Sequence, residues 1–281
     1  MRLPLGLLVG SVAAGVLSVA AALLAMRAAS LQFGVVMLLS LLGHVLASRG
    51  ARRVRWAVAT GVGLLAVVTA TRLLWYREQA DEAGWPTSGA GLAKVALAAH
   101  GRELIDRERL ASAGVALGVL CLAVGVTALP ARGRRRGTVT AVLALPLLAW
   151  LGLTSARNLD GRPLPDLLGA VWPALLAALV AIGALALSGP RADRRWLLPA
   201  GLVLLSFAAV RGYADLASSW AGWWLFAHPA EATFLEVGLT VSTSTTGVTR
   251  ASEAVETAIA LAGTALVAVG ALRGSRDADG S

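Results

Sequence analysis

The pattern Ala-His-x-x-Glu occurs twice in this chain, at Ala99 to Glu103 and at Ala227 to Glu231. Positions i and i+3 of a helix share a face. His100 with Glu103, and His228 with Glu231, would each set an imidazole beside a carboxylate. Brought together, the pairs would offer two nitrogen and two oxygen ligands, a set that suits a divalent zinc, manganese or iron ion. Two residues weigh against it. Arg102 competes for the Glu103 carboxylate, and Pro229 fits only the first turn of a helix, which confines His228 to the neighbourhood of an N-cap. Two solvated histidines in acid-rich loops are the simpler account. Apart from this metal set, no cofactor is expected.

A second constellation is made of arginines. Arg27, Arg72, Arg157 and Arg211 each follow small residues at the end of an apolar run. A ring of guanidinium groups would hold an anion or a lipid head group. Helix-end electrostatics accounts for the same residues. Cations are favoured where helices end, and acids such as Glu108, Asp166, Glu253 and Glu256 where helices begin. Long side chains also snorkel toward water.

Other machinery is missing. The chain has no GxxxxGK[ST] loop, HExxH, CxxC or GxSxG. No catalytic residue is assigned, and the chain is expected not to be an enzyme. The enzymatic alternative acts on a lipid-linked substrate at the outer face, with Glu103 or Glu231 as acid and base. His44 is the only histidine within an apolar run, so a haem cannot be held between two intramembrane histidines.

These residues are positioned by long apolar runs. Apolar types make up 57% of 281 residues, and the mean hydropathy is +0.72. Eight runs lie at roughly 4–26, 31–47, 56–75, 111–129, 138–156, 167–188, 196–212 and 255–272. Each is long enough to cross about 30 Å of hydrocarbon as a helix. They do not alternate polar with apolar residues, as the strands of a membrane barrel would. The expected class is an all-α polytopic integral membrane protein of about eight transmembrane helices.

Charge sets the threading. One set of turns and both termini carry 14 of the 25 basic residues but only three of the 16 acids. By the positive-inside rule both termini lie in the cytoplasm of a bacterial plasma membrane. The net charge of +9 is spread over these turns and does not point to nucleic acid. The partners expected are the lipid bilayer and other membrane subunits or a second copy. Cys121 is the only cysteine, so no disulfide forms within the chain.

The arginine-rich turn Pro130 to Gly137 divides the chain into two four-helix halves, 1–130 and 131–281, which run parallel. Each half reads span, short turn, span, basic turn, span, long outer loop, span. Trp56 matches Trp196, and Arg72 matches Arg211. The outer loops are expected over Tyr76–Leu110 and from Gly212 to beyond Thr246. Gly91–Leu104 is expected as an amphipathic helix along the outer leaflet. Trp220, Trp223, Trp224 and Phe226 are expected as an interfacial anchor. In the first span, kept as a helix and not cleaved, Gly6, Gly10, Ala14, Ser18 and Ala22 form a small-residue ladder, and Gly114 and Gly118 repeat the theme later.

Leu239 to Thr249 is rich in Ser and Thr. Its Thr245-Thr246-Gly247 resembles the filter turn after a re-entrant pore helix in potassium-transporter subunits. Such filters need four equivalents, and the chain has no second copy, so an exposed loop or short hairpin is the simpler account.

Two functions follow as expectations. One is a permease-like protein or accessory component of small-solute or ion translocation. The other is a non-catalytic membrane assembly or sensor subunit. The threading is tested by cysteine labelling of intact cells. Ser88→Cys and Ser219→Cys are expected to label from outside, and Gly133→Cys and Gly189→Cys only after lysis. External labelling at Gly133→Cys would contradict the threading.

Overall fold

The computed structural model of the chain describes residues 2–81, 90–129, 137–159, 162–188, 196–227 and 248–279. Pro130 to Arg136, Arg191 to Arg195, His228, Glu231 and Leu239 to Gly247 lie outside the described residues. Among those described, all regular structure is α-helix: α1 (Arg2–Leu23), α2 (Arg27–Ala47), α3 (Arg52–Asp81), α4 (Ala90–Thr127), α5 (Gly137–Leu159), α6 (Leu164–Ser188), α7 (Leu197–Ala227) and α8 (Val248–Asp279). All eight contain a segment long and apolar enough to cross a membrane. In lipid a helix satisfies its backbone polar groups within its own segment.

Several helices outrun their apolar runs. At 1.5 Å per residue, the 38 residues of α4 extend about 57 Å, well beyond the hydrocarbon thickness. Much of the expected loop Tyr76–Leu110 is helix, because α3 continues to Asp81 and α4 begins at Ala90. Gly91–Leu104 is the first part of α4, continuous with its membrane segment, and not a separate surface helix. Likewise α7 runs through the tryptophan stretch to Ala227. The extensions of α3 and α4 are rich in Arg, Glu and Ala, which are good helix formers.

In chain order, α1 packs on α2 and α8, α2 on α3, and α3 on α4. Next, α4 packs on α6 and α7, while α5 lies against α6 and α7, and α7 against α8. One apolar cluster runs through both sequence halves, from Leu38, Val58 and Leu122 to Leu185, Leu202 and Val267. At one end, termed proximal, the His44 ring lies against Pro4, Gly50 against Ser275, and Leu129 against Gly274. The described basic residues Arg49, Arg52, Arg53 and Arg55 are at this end. At the distal end Arg27 meets Glu253, and Arg72 meets Glu108.

Glycines set the closest helix pairs. A Cβ on Gly61 of α3 would lie 2.8 Å from the Gly118 carbonyl oxygen of α4, and one on Gly118 would lie 3.2 Å from that of Gly61. The pair α7 and α8 repeats this. A Cβ on Gly201 would lie 3.0 Å from the Gly263 carbonyl oxygen, and one on Gly263 would lie 3.2 Å from that of Gly201. Further along, Gly125 abuts Val58, and Gly270 abuts Leu198. Gly61 and Val58 are each 140 positions before Gly201 and Leu198, and Gly118 and Gly125 are each 145 before Gly263 and Gly270. Small residues let backbones approach so that dispersion forces hold the pair in lipid.

The α1 ladder is used only in part. Ala14, Ser18 and Ala22 are buried, but Gly6 and Gly10 have nothing within 4 Å. Ser18 Oγ donates to the Ser30 carbonyl at 2.8 Å. The α1–α2 turn places Ala25 at φ 58°. There Met26 N–H bonds the Ala21 carbonyl and Ala25 N–H bonds that of Ala22, a Schellman closure with alanine where glycine is usual. His44 Nδ1 lies 2.6 Å from the Pro4 carbonyl, which can only accept, so Nδ1 carries the proton.

Ser155 joins α5 to α7. Its hydroxyl donates to the Leu151 carbonyl at 2.8 Å, so the fully buried Tyr213 hydroxyl donates to Ser155 Oγ at 2.7 Å. Intramembrane hydrogen bonds average about 0.6 kcal/mol. Tyr213→Phe is therefore expected to cost about 0.5–1.5 kcal/mol in a reversible unfolding titration in mixed micelles. Ser155→Ala combined with Tyr213→Phe should cost little more than Tyr213→Phe alone, and additive losses would show that the two do not interact.

Candidate functional site

The distal ends of α2, α3, α4, α7 and α8 carry the densest set of charged side chains described. Arg72 Nη2 on α3 donates to Glu108 Oε2 on α4 at 2.6 Å. Arg211 Nη2 lies 3.2 Å from Asp215 Oδ1, one turn on in α7. Arg27 at the start of α2 reaches Glu253 of α8 at 3.9 Å, with its guanidinium 5.6 Å from the Tyr76 ring centre. Glu256, half-buried one turn beyond Glu253, lies within electrostatic reach of Arg72, Arg211, Asp215 and Glu253.

This geometry changes the account of the arginines. Arg72 and Arg211 sit well inside α3 and α7, which run on to Asp81 and Ala227, so a helix C-terminus is not what holds them. Arg27 is the first residue of α2, not the last of α1. A cation is disfavoured at a helix N-terminus, and the Glu253 carboxylate and Tyr76 ring offset this. Only Arg157, exposed two residues before the end of α5, and Asp166, in the first turn of α6, fit the helix-end argument. Three of the four expected ring members are thus brought to acids. Arg27, Arg72 and Arg211 share this end with four carboxyl groups, those of Glu108, Asp215, Glu253 and Glu256. Such an arrangement holds helices together by ion pairs and offers an arriving anion no bare guanidinium among these three.

The expected metal set meets a competitor. Glu103 Oε1 accepts from Arg107 Nη2 at 2.7 Å. The same guanidinium reaches Glu78 at 3.4 Å and lies 5.8 Å from the Trp75 ring centre. His100 lies on the extended part of α4, but its side chain is outside the described residues, as are His228 and Glu231 altogether. No group of three or more His, Cys, Asp or Glu able to hold a metal occurs among the described residues.

Two tryptophans are placed differently from expectation. Trp220 and Trp224 are buried against the core of the bundle, at 1% and 7% exposure, and are not an exposed belt. Arg162, just past α5, sets its guanidinium 5.8 Å from the Trp224 ring centre and donates Nη1–H to the Asn158 carbonyl at 3.1 Å. It closes the end of α5, where cations are favoured.

Asp215 and Arg107 were not singled out in the sequence. The i, i+4 spacing of Arg211 with Asp215 and of Glu103 with Arg107 is a signal that would have found them. The Arg72–Glu108 pair spans 36 positions and has no such local signal. The helices and their apolar faces define the class: a multi-pass helical membrane protein. No family model, curated protein or solved structure matches the chain.

Proposed function

We propose that the chain is a non-catalytic assembly subunit of a bacterial plasma membrane, its spans serving to pack against one another and against partner subunits. The observation that carries this is the seam between the sequence halves. Val119, Leu122 and Val126 of α4 belong with Ala174, Ala178, Ala181 and Leu185 of α6 to one buried apolar cluster, and α4 packs on both α6 and α7. Translocation of an ion or polar solute uses polar or charged groups near mid-membrane. Among the described residues no buried side chain is charged, and the buried polar groups are Ser and Thr hydroxyls with the tips of Tyr213, Trp220 and Trp224.

In this reading the chain is a parallel duplication of a four-helix unit, 1–130 and 131–281. The matched glycine contacts of α3 with α4 and α7 with α8 support it. So does the exchange of packing, in which α4 lies on α6 and α7 while α8 touches α2 and α3. The first helices depart from the repeat, since α1 packs on α2 and α8 but α5 on α6 and α7. The proximal end, with its arginines, faces the cytoplasm. The permease-like alternative draws its support from the distal charges, Glu256 above all.

The test pairs two measurements on the 28.7 kDa chain. Cross-linking in native membranes is expected to capture a partner membrane protein, or a second copy, in fixed ratio. Purified protein in vesicles is expected to pass ions and small solutes no faster than empty vesicles. A flux that Glu256→Gln abolishes would overturn the subunit reading in favour of translocation.

A further inference from the structure

We propose that the exposed start of α3 binds the head group of an anionic phospholipid, with Arg52 and Arg53 holding its phosphate and Trp56 lying against its glycerol and upper acyl chain.

One exposed stripe runs the length of α3. Arg53, Thr60, Val67 and Leu74 recur every seven residues, and all four are exposed. Positions seven apart lie on one side of a helix. Arg52 and Arg53 stand four and three positions before Trp56, so both arginines flank the exposed indole on this side. Val54 and Val58 face the other way and are buried. Arg55 is half-buried and has a structural task, because its Nη1 donates to the Ser48 carbonyl at 3.3 Å and braces the turn between α2 and α3. Arg52 and Arg53 have no such task. Among the described residues neither makes a hydrogen bond or an ion pair.

Depth points to lipid as the ligand. Trp56 and Trp75 are 19 residues apart on α3, which is about 29 Å of helix. That matches a hydrocarbon layer of about 30 Å. Tryptophan concentrates at the two edges of this layer, so the pair marks both edges. Arg52 and Arg53 then lie about one turn beyond the proximal edge, at the depth of the lipid phosphates. The stripe is apolar between the edges and exposed throughout, so acyl chains lie along it and their head groups reach the two arginines.

Electrostatics selects a lipid of net negative charge. The first turn of α3 holds Arg52, Arg53 and Arg55 and no acid. Cations are disfavoured at a helix N-terminus, where unpaired N–H groups already carry positive charge, and a phosphate beside them offsets this. Among the described side chains at the proximal end none is acidic. A zwitterionic lipid brings its own cation into this field, and an anionic one does not. The site stands whether the bundle serves as a subunit or as a permease.

The test is quenching of Trp56 in the full chain, reconstituted in phosphatidylcholine vesicles with a minor fraction of phosphatidylglycerol. Bromine is carried on the acyl chains of one lipid or the other, and the Trp56 signal is the difference from Trp56→Phe. Brominated phosphatidylglycerol is expected to quench Trp56 severalfold beyond its share of the bilayer. Arg52→Gln and Arg53→Gln should each lower this preference about fivefold, as an arginine near an anionic lipid surface contributes, and the double variant should bring it close to parity. Arg157→Gln, an exposed arginine at the distal end, should leave it unchanged. A fully brominated bilayer should quench Trp56 equally in every variant, which checks that the helix keeps its depth. Quenching by phosphatidylglycerol at only its bulk share, or a preference that survives the double variant, would overturn the proposal. Loss of the preference in inorganic phosphate, but not in sodium chloride of equal ionic strength, would make this a site for a free anion and overturn the assignment to lipid.

Discussion

The closest constraint in this structure is contact of backbone with backbone at glycine. Between α3 and α4, and again between α7 and α8, the chains approach until a single added methyl group would collide with a main-chain atom. Lipid tails are as apolar as leucine, so burial of apolar surface does little to join helices in a membrane. Close packing must do it, and close packing is densest where no side chain intervenes. These two seams place α4 and α8 against α3 and α7, and α4 then carries α6 and α7. The position of Arg72 beside Glu108 follows from the first seam, since both lie farther along the same helix pair.

The bundle separates its forces by depth. Its middle is apolar, with hydroxyl groups closed on nearby carbonyls, as Thr264 is on Ala260 and Ser188 on Leu185. Its distal end is tied by exposed or half-exposed ion pairs, each worth no more than about 1 kcal/mol. A membrane protein so arranged has a rigid middle and an end whose contacts can be rearranged at low cost.

Fold class was legible in the sequence because each of the eight spans is a long apolar run, and run length is itself the physical requirement for crossing lipid. Helix ends were not legible for the same reason. Hydropathy reports immersion in lipid, whereas α3, α4 and α7 continue through charged or aromatic residues that keep helical geometry outside it. Trp220 and Trp224 mislead in a related way, since an aromatic near a membrane boundary can face lipid or protein, and here both face protein. Gly118 was visible as part of a small-residue motif, but its partner Gly61 was not, because spacing within one helix says nothing of which helix will meet it. The arginines were visible singly. Their acids were assigned to helix ends, and only the fold shows that Glu108 and Glu253 reach across to another helix.

The account stands most directly on the two glycine seams, and matched alanine substitutions measure them. In reversible unfolding, Gly61→Ala and Gly201→Ala are each expected to destabilise the protein by about 1–3 kcal/mol, as overpacking does in a close-packed interior. The two losses should be similar, because the two contacts are alike. Gly169→Ala and Gly183→Ala, whose added methyls meet nothing within 4 Å, should be neutral or slightly stabilising, since alanine is the better helix former. Tolerance of alanine at both Gly61 and Gly201 would contradict the claim that these seams hold the bundle.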